Sequence, residues 1–160
     1  MAVDMFFKIA TIAGESADKT HAGEIDVLAW SWGASQSGTT HLGTGGGAGK
    51  VNFQDLSFTK YIDKGSALLL QACASGKHIT DASLVVRKAG GTPLEYLKIK
   101  LTDVLVSSYS TGGSGGEDRL TENVTLNFAK VDYEYVQQKP DGSGFPAVIF
   151  KFDIPANSAA

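Results

Sequence analysis

A chain of 160 residues, 42% of them hydrophobic and 19% charged, has the length of a single domain, which we place at 1–160, and can bury roughly 70% of the surface its unfolded form exposes. Its net charge of −3, with lysines and arginines scattered along the chain, excludes the clustered basic footprint that phosphate recognition in a nucleic acid requires. A single cysteine, Cys73, excludes an intramolecular disulfide, so the fold does not depend on an oxidising compartment.

The first residues, Met1 to Thr11, carry Asp4 and one basic residue, Lys8, without an apolar run of signal-peptide length, so export by a cleaved signal is not expected. No stretch approaches the roughly 20 apolar residues of a membrane helix. Met5 to Ile9 reads as a first strand. Glu24 to Gly33 reads as a second, with Ile25 and Val27 on one face and then Leu28, Trp30 and Trp32 on the other, a slip of one residue in hydrophobic phase. After the glycine run Gly43 to Lys50, alternation resumes at Val51 and Phe53 and slips again to Leu56 and Phe58. The next segment predicts a helix: Asp63 is placed to cap it, Lys64 to Ser75 carries Leu68, Leu69, Ala72 and Cys73 on a common side, and Gly76 supplies a left-handed stop.

Ala82 to Lys88 and Leu94 to Ser107 are predicted strands joined by the turn signal Ala89, Gly90, Gly91, Thr92, Pro93. Within the second, Leu97, Ile99 and Leu101 give way to Val104 and Val106. A loop holding Gly112, Gly113, Gly115 and Gly116, where backbone freedom is expected to be needed, leads into a strand with Leu120, Val124, Leu126 and Phe128 on one face. Its other face holds Thr121, Asn123, Thr125 and Asn127, small, polar and uncharged, before the phase slips again to Val131, Tyr133 and Tyr135. A strand that buries one side and shows water a neutral, hydrogen-bonding other side reads as a wall. Val148 to Ile154 is the last predicted strand.

Period-2 alternation makes the chain mainly β. In a flat strand each phase slip would turn the core face to water, so the slips require bulges or strands that pass between packed environments. We expect long, bent strands in a closed or nearly closed β-barrel, or a small two-sheet sandwich, with the one helix packed on it. A covering of both strand faces, one by the core and one by a neighbouring subunit, would give the same pattern.

Most candidate chemistry is rejected on spacing. The run Gly43-Thr-Gly-Gly-Gly-Ala-Gly49-Lys50 has Thr44 where a phosphate-binding loop needs glycine and Val51 where it needs serine or threonine. A dinucleotide pattern at Gly43, Gly45 and Ala48 runs into alternating Val51, Asn52, Phe53 and so into a strand instead of the required helix. His21, His41 and His78 are too far apart for a local metal motif. Cys73 lies on the apolar side of the helix and reads as a packed small hydrophobe, not a nucleophile. Ser31 and Ser114 lack the nucleophile-elbow pattern, and Glu117, Asp118 and Arg119 read as groups that orient the glycine loop or pair across an interface. No catalytic residue, cofactor or metal is expected. Trp30 and Trp32 read as core or interface anchors, which leaves Ser31 on the opposite, polar face.

Three long blocks, GEIDVLAWSWGASQSG (Gly23 to Gly38), GGAGKVNFQDLSFTKYIDK (Gly46 to Lys64) and SSYSTGGSGGEDRLTENVTLNF (Ser107 to Phe128), resemble the haemolysin-coregulated protein family, Hcp, of bacterial type VI secretion. The resemblance begins at the first residues and fades after about Val131, leaving Asp132 to Ala160 unplaced. It implies a structural protein that assembles into homohexameric rings. The rings stack into a tube that sheath proteins drive outward behind a valine-glycine-repeat spike protein, and small effector proteins are sheltered in the ring lumen. It also implies synthesis in the bacterial cytoplasm and delivery to the extracellular space or a target cell by the machine itself, with neither nucleic acid nor membrane insertion involved. On that reading alternation points Ser31, Thr121, Asn123 and Thr125 at the lumen and cargo, and the loop with Gly45, Gly46, Gly47 and Lys50 reaches toward neighbouring subunits or rings. The rival is a monomeric or dimeric secreted β-barrel that binds a carbohydrate or other small ligand on a platform formed by the two tryptophans.

Overall fold

The computed structural model describes residues 2–38 and 48–160. The strands are β1 (Val3–Ile9), β2 (Ile25–Asp26), β3 (Ala29–Ser31), β4 (Ala34–Gly38), β5 (Ala48–Phe53), β6 (Leu56–Tyr61), β7 (His78–Lys88), β8 (Leu94–Thr111), β9 (Thr121–Tyr135), β10 (Val148–Asp153) and β11 (Ser158–Ala159). One helix, α1 (Ser66–Ser75), lies between β6 and β7. The predicted second strand is two short strands, and both predicted strands after α1 run longer than expected, because β7 begins at His78 and β8 continues to Thr111.

All pairings are antiparallel. The main sheet runs β11-β10-β9-β8-β7-β1-β2, with β6 also on β9 and β3 on β6, while β4 and β5 form a separate two-stranded sheet. Strand β9 is the hub: it pairs with β8 on one edge, and on the other with β6 over Thr121–Leu126 and with β10 over Lys130–Tyr135. The expected closed barrel is not what the ladders draw. The regular sheet stays open because the chain leaves β1 after Asp26 and joins β6 only at Ala29. Between them Val27 donates its N–H to Met5 O at 3.0 Å and Leu28 donates to Thr59 O at 2.8 Å.

The phase slips have a shared origin. Buried positions step from Ile79 to Ala82 in β7, from Leu101 to Val104 in β8 and from Phe128 to Val131 in β9. The register makes these neighbours, with Ile79 opposite Val104 and Val104 opposite Phe128, and Ala82 opposite Leu101 and Leu101 opposite Val131. Three strands therefore change face at one level, each with one extra residue, so the sheet bends without losing register. Asp103 sits at that level with φ 57°, a left-handed conformation uncommon outside glycine that aspartate adopts more readily than most residues. A further irregularity between Val106 and Ser108 leaves Ser107 as the extra residue of a bulge against β9.

The core gathers Phe7, Ile25, Leu56, Phe58, Leu84, Ile99, Leu101, Val124 and Leu126, all 1% exposed or less, and α1 caps it through Leu69 and Ala72. The helix starts two residues later than predicted, with Gly65 as its N-cap. Asp63 still shapes the entry: its Oδ1 accepts the Gly65 N–H at 2.9 Å and its own N–H donates to Ser66 Oγ at 2.9 Å. Gly76 ends the helix at φ 64° and donates to Ala72 O, as expected of a left-handed stop. Leu68 does not join the buried side; it is 45% exposed, beside Leu70 at 50%. The glycine-loop expectation also needs correction. None of Gly112, Gly113, Gly115 and Gly116 has positive φ, and a Cβ at Gly113 would meet only the end of the exposed Leu120 side chain, which is free to shift.

Candidate functional site

Strands β3, β6, β9 and β8 lie side by side, and their outward residues build one polar face. Ser31 pairs with Ser57, Ser57 with Thr125 and Thr125 with Ser108. One step along, Ala29 pairs with Thr59, Thr59 with Asn123 and Asn123 with Ser110, and at the next level Tyr61 pairs with Thr121. Over β6 and the Thr121–Phe128 part of β9, alternation sends the odd-numbered side chains here and the even-numbered ones into the core. The face is bonded within itself: Thr59 Oγ1 donates to Asn123 Oδ1 at 2.7 Å, and the hydroxyls of Ser57 and Thr125 lie 3.1 Å apart. At one end Asp55 accepts from Ser107 Oγ at 2.8 Å and Asn127 Nδ2 at 2.9 Å. At the other the Arg119 guanidinium lies 3.9 Å above the Tyr61 ring. The structure thus brings Ser31, Thr121, Asn123 and Thr125 onto a common surface, with neutral hydroxyls and an amide at its centre.

The reverse of this face holds a group of residues that sequence reasoning missed. Lys60 and Glu122 are fully buried and paired with each other. Lys60 Nζ also reaches Asp63 Oδ1 at 2.9 Å and Ser66 Oγ at 3.3 Å, and Ser66 Oγ donates to Glu122 Oε1 at 2.7 Å. Tyr109 donates its hydroxyl to Glu122 Oε2. Desolvation, with the Glu122 carboxylate beside it, pushes the Tyr109 phenol up to about 12. A signal was available: Lys60 follows Leu56 and Phe58 on the apolar face of one strand, and Glu122 sits between Leu120 and Val124 on that of another. Opposite charges on two apolar faces announce a buried pair.

A second charged cluster fastens the segment between β1 and β2. Arg87 donates to Asp18, Thr20 and Asp4. His21 is 7% exposed, with Nδ1 2.8 Å from Glu24 Oε2 and Nε2 2.7 Å from Glu95 Oε1, and it stacks on Phe6 at 4.4 Å. A loop histidine in the sequence is thus a packed structural one.

The other candidates fall as follows. Gly45, Gly46, Gly47 and His41 lie outside the described residues. Lys50 is exposed in β5 and lines a groove of about 600 Å³ with Asp55, His78, Asp103 and Asn127. His78 Nδ1 is 3.0 Å from Asp103 Oδ1, both largely in water. Cys73 and Trp30 pack against the core. Trp32 stacks on Phe53 with ring centroids 5.8 Å apart and also meets Phe128 and Tyr133, in agreement with an anchoring role. Among the described residues, no three His, Cys, Asp or Glu side chains are grouped to hold a metal, and no helix is long and apolar enough to cross a membrane.

Residues 6–135 match the family model described as type VI secretion system effector, Hcp. Protein hcp1 of Pseudomonas aeruginosa is 70% identical over 144 residues, 89% of each chain. Among solved structures, that of a type six secretion system protein has a TM-score of 0.93 at 31% identity, covering 99% of this chain and 100% of the other. Hcp1 from Salmonella typhimurium gives 0.81 at 41% identity, covering 100% of both chains. The structural likeness therefore runs on through β10 and β11, the part that the three sequence blocks leave unplaced.

Proposed function

Because the chain belongs to the Hcp family of type VI secretion proteins, we propose that it is a structural protein whose copies assemble into homohexameric rings, that these rings stack into a tube, and that the polar face of β3, β6, β9 and β8 lines the lumen. The observation that carries this is the composition of that face. Four adjacent strands present Ser31, Ser57, Thr59, Ser108, Ser110, Asn123 and Thr125 without a charged side chain at the centre. Such a wall stays wetted and offers weak hydrogen bonds to a folded protein without holding it fast. Small effector proteins are the cargo, with Ser31, Thr121, Asn123 and Thr125 as contacts.

The lateral contact draws on apolar surface that a monomer would leave wet. In β10 the consecutive residues Val148, Ile149 and Phe150 are 71%, 54% and 43% exposed, and β11 covers only Phe152 and Asp153 of that strand's outer edge. An exposed, apolar strand edge is one that soluble proteins protect, and a head-to-tail contact repeated about a rotation axis both protects it and closes a ring. Within each copy, Val27 and Leu28 act as the seam that carries the curved sheet from β1 to β6 and closes it as a barrel. The loop with Gly45, Gly46 and Gly47, together with Lys50, reaches an adjacent copy. Sheath proteins and a valine-glycine-repeat spike protein are the remaining partners, and the machine delivers the cytoplasmic product out of the cell.

Light scattering on a sizing column, followed by negative-stain images, tests this. A hexamer mass with annular particles is expected. A monomer at working concentration would sink the ring and leave the ligand-binding barrel as the better account.

A further inference from the structure

The polar face and the buried ionic cluster are two sides of the same strand segments. Thr59 and Tyr61 flank Lys60 in β6, Thr121 and Asn123 flank Glu122 in β9, and Ser108 and Ser110 flank Tyr109 in β8. In each pair the flanking residues point outward while the central one points inward. Behind the wall, Glu122 is the common acceptor: Lys60 and Ser66 meet its Oε1 and Tyr109 meets its Oε2. The carboxylate therefore joins three of the four wall strands, β6, β8 and β9, to the first turn of α1 through groups that are buried or partly buried.

A buried ion pair is a weak source of net stability, because desolvation cancels most of the attraction, and apolar replacement of both partners is often neutral or better. What such a group offers is direction. Each bond to Glu122 is satisfied at one relative placement of β6, β8 and β9, whereas apolar side chains would tolerate several. We propose that Glu122, with Lys60, Tyr109 and Ser66, is a positioning residue for the polar face, holding Thr59, Asn123 and Ser110 in one geometry. This rests on the reading that the face is functional, but the placement can be tested without any cargo.

The test compares the wild-type protein with Lys60→Met combined with Glu122→Leu, an apolar pair of similar bulk. Amide hydrogen exchange is followed by mass spectrometry over residues 57–61, 108–111 and 121–125, with the β7 stretch 82–86 as internal reference. Expected is exchange in the three wall segments faster by about tenfold or more, beyond any change in the reference. Equal acceleration of wall and reference, or no change in the wall, would overturn the proposal. If the double variant fails to fold, Tyr109→Phe and Ser66→Ala remove only hydroxyls and are expected to accelerate the wall segments more than the reference, to a smaller degree; equal acceleration of wall and reference, or no change in the wall, overturns it likewise. The native mass of each variant separates this result from the ring reading, since a wild-type monomer removes the lumen but leaves the exchange comparison intact.

Discussion

Arg87 holds Asp18 through both terminal nitrogens, Nη2 to Oδ1 at 2.6 Å and Nη1 to Oδ2 at 3.1 Å. The same carboxylate accepts the backbone N–H groups of Thr20 at 3.0 Å and His21 at 3.2 Å, so it fixes the turn that brings His21 onto Phe6. A fork-shaped cation and a carboxylate with this geometry make one of the stronger polar contacts a protein uses. The Arg87 hydrogen bonds hold the Asp18 carboxyl well below its ordinary value of 3.8, outweighing partial burial, with Thr20 and His21 contributing in the same direction.

Because that carboxyl is more acidic folded than unfolded, its contribution is fully present above pH 3.8 and is lost as pH falls through the lower folded value. Asp18→Asn is expected to lower the denaturation midpoint at neutral pH and to flatten its decline in acid. A pair of urea titrations at neutral pH and below pH 3 checks both; parallel wild-type and variant curves would show that Asp18 carries no linked proton.

Tyr109 gives the opposite sign at the alkaline end. Its phenol is raised from 10.0 to about 12, so stability tied to the neutral hydroxyl is present below pH 10.0 and lost as pH rises through about 12. Of the five tyrosines, Tyr109 is expected to ionise late in an ultraviolet phenolate titration. Tyr109→Phe should delete that step and cost about 1–3 kcal/mol, since it removes a hydrogen bond to a charged acceptor.

On α1 the two adjacent leucines should behave differently. Leu69 is fully buried and Leu68 is 45% exposed. Leu69→Ala is expected to cost about 2–5 kcal/mol, and Leu68→Ala to stay within about 0.5 kcal/mol in an isolated chain. Equal losses in chemical denaturation would mean the helix is rotated from the orientation described.

Ile149→Lys places a charge on the apolar edge of β10 without touching the core. The thermal midpoint of the chain should hold while the native mass drops below that of the ring. A ring of unchanged mass would move the lateral contact elsewhere on the surface.

Ser31→Trp fills part of the polar face at β3. Ring mass is expected to be unchanged and retention of co-purified cargo reduced; retention at the wild-type level would take Ser31 off the contact surface.

Much of this architecture was legible because period-2 alternation is a direct imprint of strand geometry. The row Thr121, Asn123, Thr125 and Asn127 could be assigned to one face before any partner strand was known, and the three sequence blocks identified the family. What alternation does not encode is which strand comes next. The phase slips at Leu101–Val104 and Phe128–Val131 were visible, but their alignment into one bend depends on register, a long-range property. The buried pair was obscured for a related reason. Lys60 and Glu122 are 62 positions apart, and each alone looks like an interruption of an apolar face. Leu68 was misplaced because a helix of ten residues carries too few turns for its apolar side to be set by spacing alone, and packing on the sheet decided it. Asp63 matched the pattern of a cap, yet Ser66, the partner of its N–H, is what draws the helix start inward.

The aligned bend in β7, β8 and β9 also bears on how such a chain can change length. Removing one residue between Leu101 and Val104 would restore plain alternation in β8 but set it against two neighbours that still turn at that level. Every side chain beyond the deletion would then face the wrong way relative to its pairing partners. Length variation at this level must therefore occur in all three strands together or not at all, whereas the turns at 89–93 and 112–119 can lengthen or shorten one at a time.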